Sequence, residues 1–173
     1  MNSTYSSAVR ELLAENRLPD LGPGRPNDGM RQLLAELTPQ KLVAGEQVRS
    51  QEFAAACLAG LWLYHDFLDE SHTISQDIAG PSGSFWHGIM HRREPDPSNA
   101  AYWFRRVRQH PVFESLGAAA KELAEGKVAV PSPWDAFWFI DFCESSRGKD
   151  DLLARQIQMA EWRLFFDYCY RQA

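Results

Sequence analysis

The sequence has few of the features that mark disulfide-bonded or membrane proteins. Its 173 residues include three cysteines, Cys57, Cys143 and Cys169, which are widely spaced and form no C-x-x-C pair. An odd number of scattered cysteines argues against a disulfide framework or a cysteine zinc site and favours free thiols in a reducing compartment. The longest apolar run, Phe53 to Tyr64, is shorter than the roughly 20 residues that span a bilayer, so we expect no membrane association.

The chain also lacks a basic excess and a targeting segment. Its formal net charge is −5, whereas nucleic-acid-binding domains usually carry a positive footprint, so we expect no nucleic-acid partner. The first residues, MNSTYSSAVRELL, have no charged leader followed by an apolar core, which predicts no signal peptide. With the free thiols, this favours a cytoplasmic protein.

No segment alternates apolar and polar residues as a half-buried strand does, whereas apolar residues recur with helical spacing between Pro- and Gly-rich breaks. The run from 46 to 70 is apolar nearly all round and is expected to be the buried centre. These patterns predict one all-α domain over residues 1–173, a multi-helix bundle with short Pro/Gly-rich connections. The expected helices cover residues 3–16, 28–37, 46–70, 85–93, 99–108, 112–125, 134–148 and 151–170. The expected N-caps are Asp28, Ser84, Asp96 or Ser98, and Asp150.

Histidine and arginine are concentrated in one segment, from His72 to His110. Four of the five histidines lie there: His72, His87, His91 and His110. The stretch from Phe85 to His110 also holds five arginines and only two acids, so it is locally basic within an acidic chain. We therefore predict that any chemistry of this protein is located in this segment.

The spacing of His87 and His91 is the first signal within the segment. Residues four apart on a helix lie on the same face, so both imidazoles are within reach of one ion or ligand. His72 from the preceding turn, or Glu94 three residues on, would complete a set of metal ligands. Gly88 stands where a zinc protease has its glutamate, which excludes that class. A metal-dependent helical hydrolase is one reading. The alternatives without a metal are that both histidines hydrogen-bond to neighbours or face a groove, or that they act as acid/base groups.

The arginine pairs suggest a different ligand. Arg92-Arg93 and Arg105-Arg106 end two short helices that a proline-containing turn separates, so the pairs would converge if these helices form a hairpin. Guanidinium groups bind carboxylates and phosphates bidentately. The residues predicted to bind such a ligand are His72, Gln76, Trp86, Arg92, Arg93, Tyr102, Arg105 and Arg106. An internal ion network among Arg93, Glu94, Asp96 and Arg105 is the alternative.

The string from Trp86 to Phe113, WHGIMHRREPDPSNAAYWFRRVRQHPVF, resembles a family of uncharacterised bacterial and fungal proteins. Its members carry a W-H-x-I-x-H-R-R-E-P-D block followed by N-x-x-Y-W-F-R-R-V and H-P-V-F, with His72, Ser75 and Gln76 as the upstream part. The match covers about a quarter of the chain. The resemblance implies no established activity, and it supports only the location of a site.

These observations lead to three functional hypotheses. The first is a cytoplasmic site for a small anionic molecule, with His87 and His91 as catalytic groups and the arginines as clamps. The second is a non-enzymatic interaction or scaffold domain, which would expose an aromatic face around Trp134, Trp138 and Trp162. The third is the metal-dependent hydrolase. The sequence assigns no cofactor.

Overall fold

A computed structural model describes residues 5–43 and 47–173 of the chain. Within these ranges the protein has ten α-helices and no strand, which confirms the predicted all-α fold class. The helices are α1 (Ser7–Leu12), α2 (Arg31–Ala35), α3 (Pro39–Leu42), α4 (Gln51–Tyr64), α5 (Leu68–Gln76), α6 (Pro81–Arg93), α7 (Pro97–Val107), α8 (Val112–Ala124), α9 (Ala136–Ser146) and α10 (Leu152–Tyr170). A short 3-10 turn, Asp28–Met30, leads into α2.

Helix α6 is the central helix of this arrangement. Every residue from Ser82 to Arg93 is buried, although the sequence of α6 is largely polar. It packs against α4, α5 and α7. Two glycines permit this close packing, because a Cβ atom on Gly88 would lie 2.8 Å from the Phe104 ring and one on Gly60 would lie 2.6 Å from the Trp86 ring.

Helix α10 closes the other side of the core against α4 and α8. Its aromatic residues contact both α6 and α4: Phe165 stacks on Phe85 of α6 with ring centroids 4.0 Å apart, and Trp162 donates its indole N–H to the Gly60 carbonyl oxygen of α4 at 2.8 Å. Close aromatic contacts of this kind contribute to core stability beyond the area they bury. None of the helices in the described ranges is both long enough and apolar enough to cross a membrane.

The predicted helix over 46–70 is wrong in one respect, because the structure divides it into α4 and α5 (Glu46 lies outside the described residues). Asp66 lies at the break with φ 64°, in the left-handed region that an aspartate tolerates better than most residues. Its carboxylate accepts hydrogen bonds from Arg17 at 2.6 Å and from Arg93 at 2.5 Å. These two distant arginines stabilise a bend that local helical spacing does not predict.

Other helix ends differ by a few residues from the prediction. Helix α6 begins at Pro81 rather than after Ser84, because proline suits the first turn of a helix. Helix α1 begins after a Ser6 cap, whereas the predicted start at Ser3 lies outside the described residues. Asp96 caps α7 as predicted by accepting the Asn99 N–H at 3.1 Å.

Candidate functional site

Three histidines from two helices form a cluster at the contact between α5 and α6. His72 lies on α5, and His87 and His91 lie one turn apart on α6. Their ring centroids are separated by 4.5 Å (His72 to His87), 4.8 Å (His87 to His91) and 5.5 Å (His72 to His91). Each side chain offers one nitrogen atom such that all three atoms lie within 4.8 Å of one another. This set of three histidines is one that the sequence predicts, with His72 as the third ligand beside His87 and His91.

The short connection between the two helices brings the histidines together. Gly83, in the first turn of α6, permits this, because a Cβ atom there would lie 2.5 Å from the Cβ of Ile78. The chain can therefore fold back closely after α5. The spacing of four residues then directs His87 and His91 towards the same side of α6.

Ser75 sets the orientation and the tautomer of His87. Its Oγ lies 3.0 Å from Nδ1 of His87 and 3.2 Å from the carbonyl oxygen of His72. A hydroxyl group has one proton, and the carbonyl oxygen can only accept, so Ser75 donates to His72 and accepts from Nδ1–H of His87. Nε2 of His87 is then left with a free lone pair.

Glu94 plays the corresponding part for His91. A carboxylate oxygen of Glu94 accepts the Nδ1–H of His91 at 2.9 Å, three residues along the chain. This leaves Nε2 of His91 as the available nitrogen. Histidines that bind metal ions commonly donate their second ring nitrogen to a carboxylate or another acceptor in this way.

The environment of His87 favours a neutral imidazole. Burial, together with the nearby His91 and His72, lowers the pKa of His87 to about 3. Its side chain is only 2% exposed. A histidine that stays neutral at pH 7 is suited to offer a lone pair and poorly suited to donate a proton near neutral pH.

An aromatic residue and a cation flank the cluster on the side of α7. The Trp103 ring lies 4.0 Å from the His87 ring, centroid to centroid. The guanidinium carbon of Arg106 lies 5.2 Å from the Trp103 ring and 6.0 Å from the ring of the exposed Tyr102. Of the predicted ligand-binding residues, Tyr102 and Arg106 are thus linked to the histidines through Trp103. Arg105 lies exposed on the same helix, and Gln76 lies exposed one turn beyond His72.

Arg92 and Arg93 do not form the expected clamp with Arg105 and Arg106, which corrects the prediction for these two residues. The Arg92 side chain is fully buried, pairs with both carboxylate oxygens of Glu161, and lies 4.4 Å from the Phe139 ring. Arg93 is 2% exposed and pairs with Asp66. Both guanidinium groups are neutralised inside the protein, and neither is available to an external anion.

Trp86, which is predicted to bind the ligand, lies in the core instead of lining a pocket. It is fully buried against Gly60 and lies 4.6 Å from the Phe165 ring, centroid to centroid. The aromatic face expected of a scaffold domain is likewise absent at Trp134 and Trp162, which are 8% and 6% exposed. These tryptophans belong to the core.

Sequence reasoning missed the carboxylates that neutralise the two buried arginines. Glu161 lies among the apolar positions of α10, and a charge within an apolar helical face indicates a buried partner of opposite sign. That pattern could have predicted an arginine partner for Glu161, though not which arginine. Ser75 is named from the sequence only as part of the upstream motif, and its contact with His87 joins two helices, which helical spacing within one helix does not predict.

Comparisons with protein-family models, with curated proteins and with solved structures find no match to this chain. The geometry of the site is therefore the basis for assigning a function.

Proposed function

We propose that the chain binds one divalent transition-metal ion, with zinc as the reference case, through a ring nitrogen of each of His72, His87 and His91. The observation that carries the proposal is the convergence of three nitrogen ligands within 4.8 Å, two of them already oriented by Ser75 and Glu94. Neutral imidazole is a preferred ligand for zinc and related ions.

The distances are compatible with a metal ion after small side-chain movements. Zinc–nitrogen bonds of about 2.0–2.1 Å in a tetrahedron place ligand nitrogens about 3.3 Å apart. The three nitrogens lie within 4.8 Å, so rotations that move them by about 1 Å would close the site. His72 is half-buried and His91 is 9% exposed, so the cluster lies at the edge of the core and has access to solvent.

The number of ligands favours a catalytic rather than a structural metal site. Structural zinc sites usually have four protein ligands, whereas catalytic sites have three and leave a position for water or substrate. A bound divalent ion would supply a hydroxide at neutral pH by lowering the pKa of that water to about 7. We therefore propose metal-dependent hydrolysis as the reaction class.

A cytoplasmic location is part of the proposal. All three cysteines are free and buried. Thiols in this state are typical of reducing compartments. Imidazole rather than thiolate ligands then leave the proposed site unaffected by the redox chemistry of the cysteines.

The test is a metal-binding titration of protein produced without a histidine tag and stripped with a chelator. We expect one equivalent of Zn²⁺ or Co²⁺ to bind. His72→Ala and His91→Ala should each weaken binding by more than the roughly 10- to 100-fold typical of outer-sphere changes. Thr73→Ala is the matched control, because Thr73 is exposed on α5 beside His72 and, among the described residues, its hydroxyl group bonds only to the Asp69 carbonyl oxygen.

Circular dichroism and the melting temperature of the metal-free proteins keep this test independent of folding. His72→Ala is the decisive variant, since its side chain is only half-buried. Failure of the wild-type protein to bind a stoichiometric ion, or equal binding by a folded His72→Ala variant, would overturn the proposal.

A further inference from the structure

The exposed end of α7 carries positive charge that the protein does not neutralise. Arg105, Arg106 and Arg108 are all exposed, and none of them has a carboxylate within 4.0 Å in residues 5–43 and 47–173. Some exposed or half-buried arginines do have such partners, such as Arg31 with Glu70 and Arg147 with Glu144. Others, such as Arg10 and Arg171, have none among the described residues, so what sets the end of α7 apart is its position beside the histidine cluster. The charge of α7 is therefore available to an external anion.

The two acids that most closely precede this surface in the sequence, Glu94 and Asp96, form other contacts. Glu94 accepts from His91, and both carboxylate oxygens of Asp96 accept hydrogen bonds from the first turn of α7, at Ser98 and Asn99. These bonds lower the pKa of Asp96 and keep it ionised as a helix cap. Neither acid is placed to neutralise Arg106.

Arg106 is the arginine that the structure connects to the histidine cluster. Its guanidinium group lies over Trp103, and the Trp103 ring lies against His87, so the cation and a proposed metal ligand contact the same indole ring. Packing of guanidinium over an aromatic ring limits its rotamer freedom while leaving its N–H groups free to bind. Arg105 and Arg108 have no such contact among the described residues.

The charge of the proposed metal site acts in the same direction. Three neutral imidazoles leave the full charge of a divalent ion uncompensated by its protein ligands. A ligand that coordinates the open position therefore gains most if it is negatively charged, and a guanidinium nearby adds a bidentate partner for an oxyanion.

We propose that this site takes a small substrate with a phosphate or carboxylate group, bound with one oxygen at the open coordination position and another on Arg106. This inference rests on the proposed metal site and names the substrate class for it. The contact with Arg106 distinguishes the proposed substrate site from a metal site that binds only water.

The test uses Co²⁺-substituted protein, whose visible absorption reports on the coordination sphere. Inorganic phosphate and acetate are titrated separately, and these two probes distinguish the two sources of the oxyanion. We expect at least one of them to shift the spectrum with saturation. Arg106→Gln should weaken the binding of that anion by about 10- to 100-fold, as expected for loss of a charge-assisted hydrogen bond. The affinity for Co²⁺ should be unchanged.

Arg108→Gln is the matched control, because it removes the same charge two residues away at an exposed position. A specific role for Arg106 predicts that Arg108→Gln changes anion affinity less than threefold. Co²⁺ binding without any anion response, or equal effects of the two substitutions, would overturn this inference and leave the metal site intact. Failure to bind Co²⁺ would overturn both.

Discussion

Ser75 and His87 are joined by a hydrogen bond of 3.0 Å between Oγ and Nδ1, and its direction is set by a third group, the carbonyl oxygen of His72. Because Ser75 donates its hydroxyl proton to that carbonyl oxygen, Nδ1 of His87 must be the donor in the hydrogen bond to Ser75. One serine thus connects two of the proposed ligands, and its removal is the most direct test of how the site is oriented.

Ser75→Ala should weaken metal binding by about 10- to 100-fold, because outer-sphere hydrogen bonds orient ligands. The same substitution should allow both tautomers of His87, which two-bond ¹H–¹⁵N spectra of the metal-free protein detect. Ser71→Ala is the control, one turn earlier on α5. Ser71 is buried, and its Oγ has no hydrogen-bond partner within the part of the chain that the structure describes. A single Nδ1–H tautomer retained in Ser75→Ala would refute the assigned role.

Glu94→Ala should weaken metal binding by a similar factor, because His91 then loses the acceptor of its Nδ1–H. Glu94→Gln keeps an oxygen acceptor and removes the charge, so we expect it to lie between Glu94→Ala and the wild type. Glu125→Gln serves as the control for loss of an exposed acid, since Glu125 forms a salt bridge with Lys127 and with no other residue in the described part of the chain. The metal dissociation constant is the measurement, and equal constants for Glu94→Ala and wild type would contradict the prediction.

Arg92→Met and Glu161→Met should each lower the free energy of unfolding by about 3–5 kcal/mol, because each leaves an unpaired buried charge. The double substitution removes both charges and should cost clearly less than the sum. Urea denaturation of the four proteins provides the double-mutant cycle. Additive losses would show that Arg92 does not depend on Glu161, and the internal assignment of this arginine would then fail.

The stability of the protein should fall as the pH is lowered from about 6.5 towards 4, in part through His110. Burial lowers the pKa of His110 to about 4 from the ordinary 6.5, and its Nδ1 accepts the Val112 N–H at 3.3 Å. Between these two values the unfolded chain binds a proton that the folded protein does not, so unfolding is favoured as the pH falls. Above pH 6.5 His110 is neutral in both the folded and the unfolded states, and its full contribution to the free energy of unfolding is present.

His110→Asn replaces the titrating ring with an amide whose oxygen can still accept the Val112 N–H. Chemical denaturation at pH values from 4 to 7 should show a smaller slope of unfolding free energy against pH for this variant than for the wild type. A constant loss of stability from the smaller side chain does not affect that slope. Identical slopes would show that His110 does not take up its proton on unfolding.

Local sequence patterns predict those parts of the site that depend on a single helix. The spacing of His87 and His91 predicts their common face, and Asp96 is one of the two predicted caps of α7, although this helix begins at Pro97 rather than at the predicted Asn99. The bend at Asp66 and the burial of Arg92 depend on partners far along the chain: Arg17, Arg93 and Glu161. Helical periodicity carries no information on such pairs, so it predicts a short helix over 85–93 without predicting that every residue from Ser82 to Arg93 is buried.

The burial of α6 has a consequence for the energetics of ligand capture. A helix whose residues from Ser82 to Arg93 are all enclosed has no partly unfolded state of its own, so its amides should exchange with solvent only when the whole protein opens. His87 and His91 are therefore preorganised by the global stability of the fold, and binding at the cluster needs little ordering of the backbone. Any ion captured there would in turn stabilise the entire molecule by mass action.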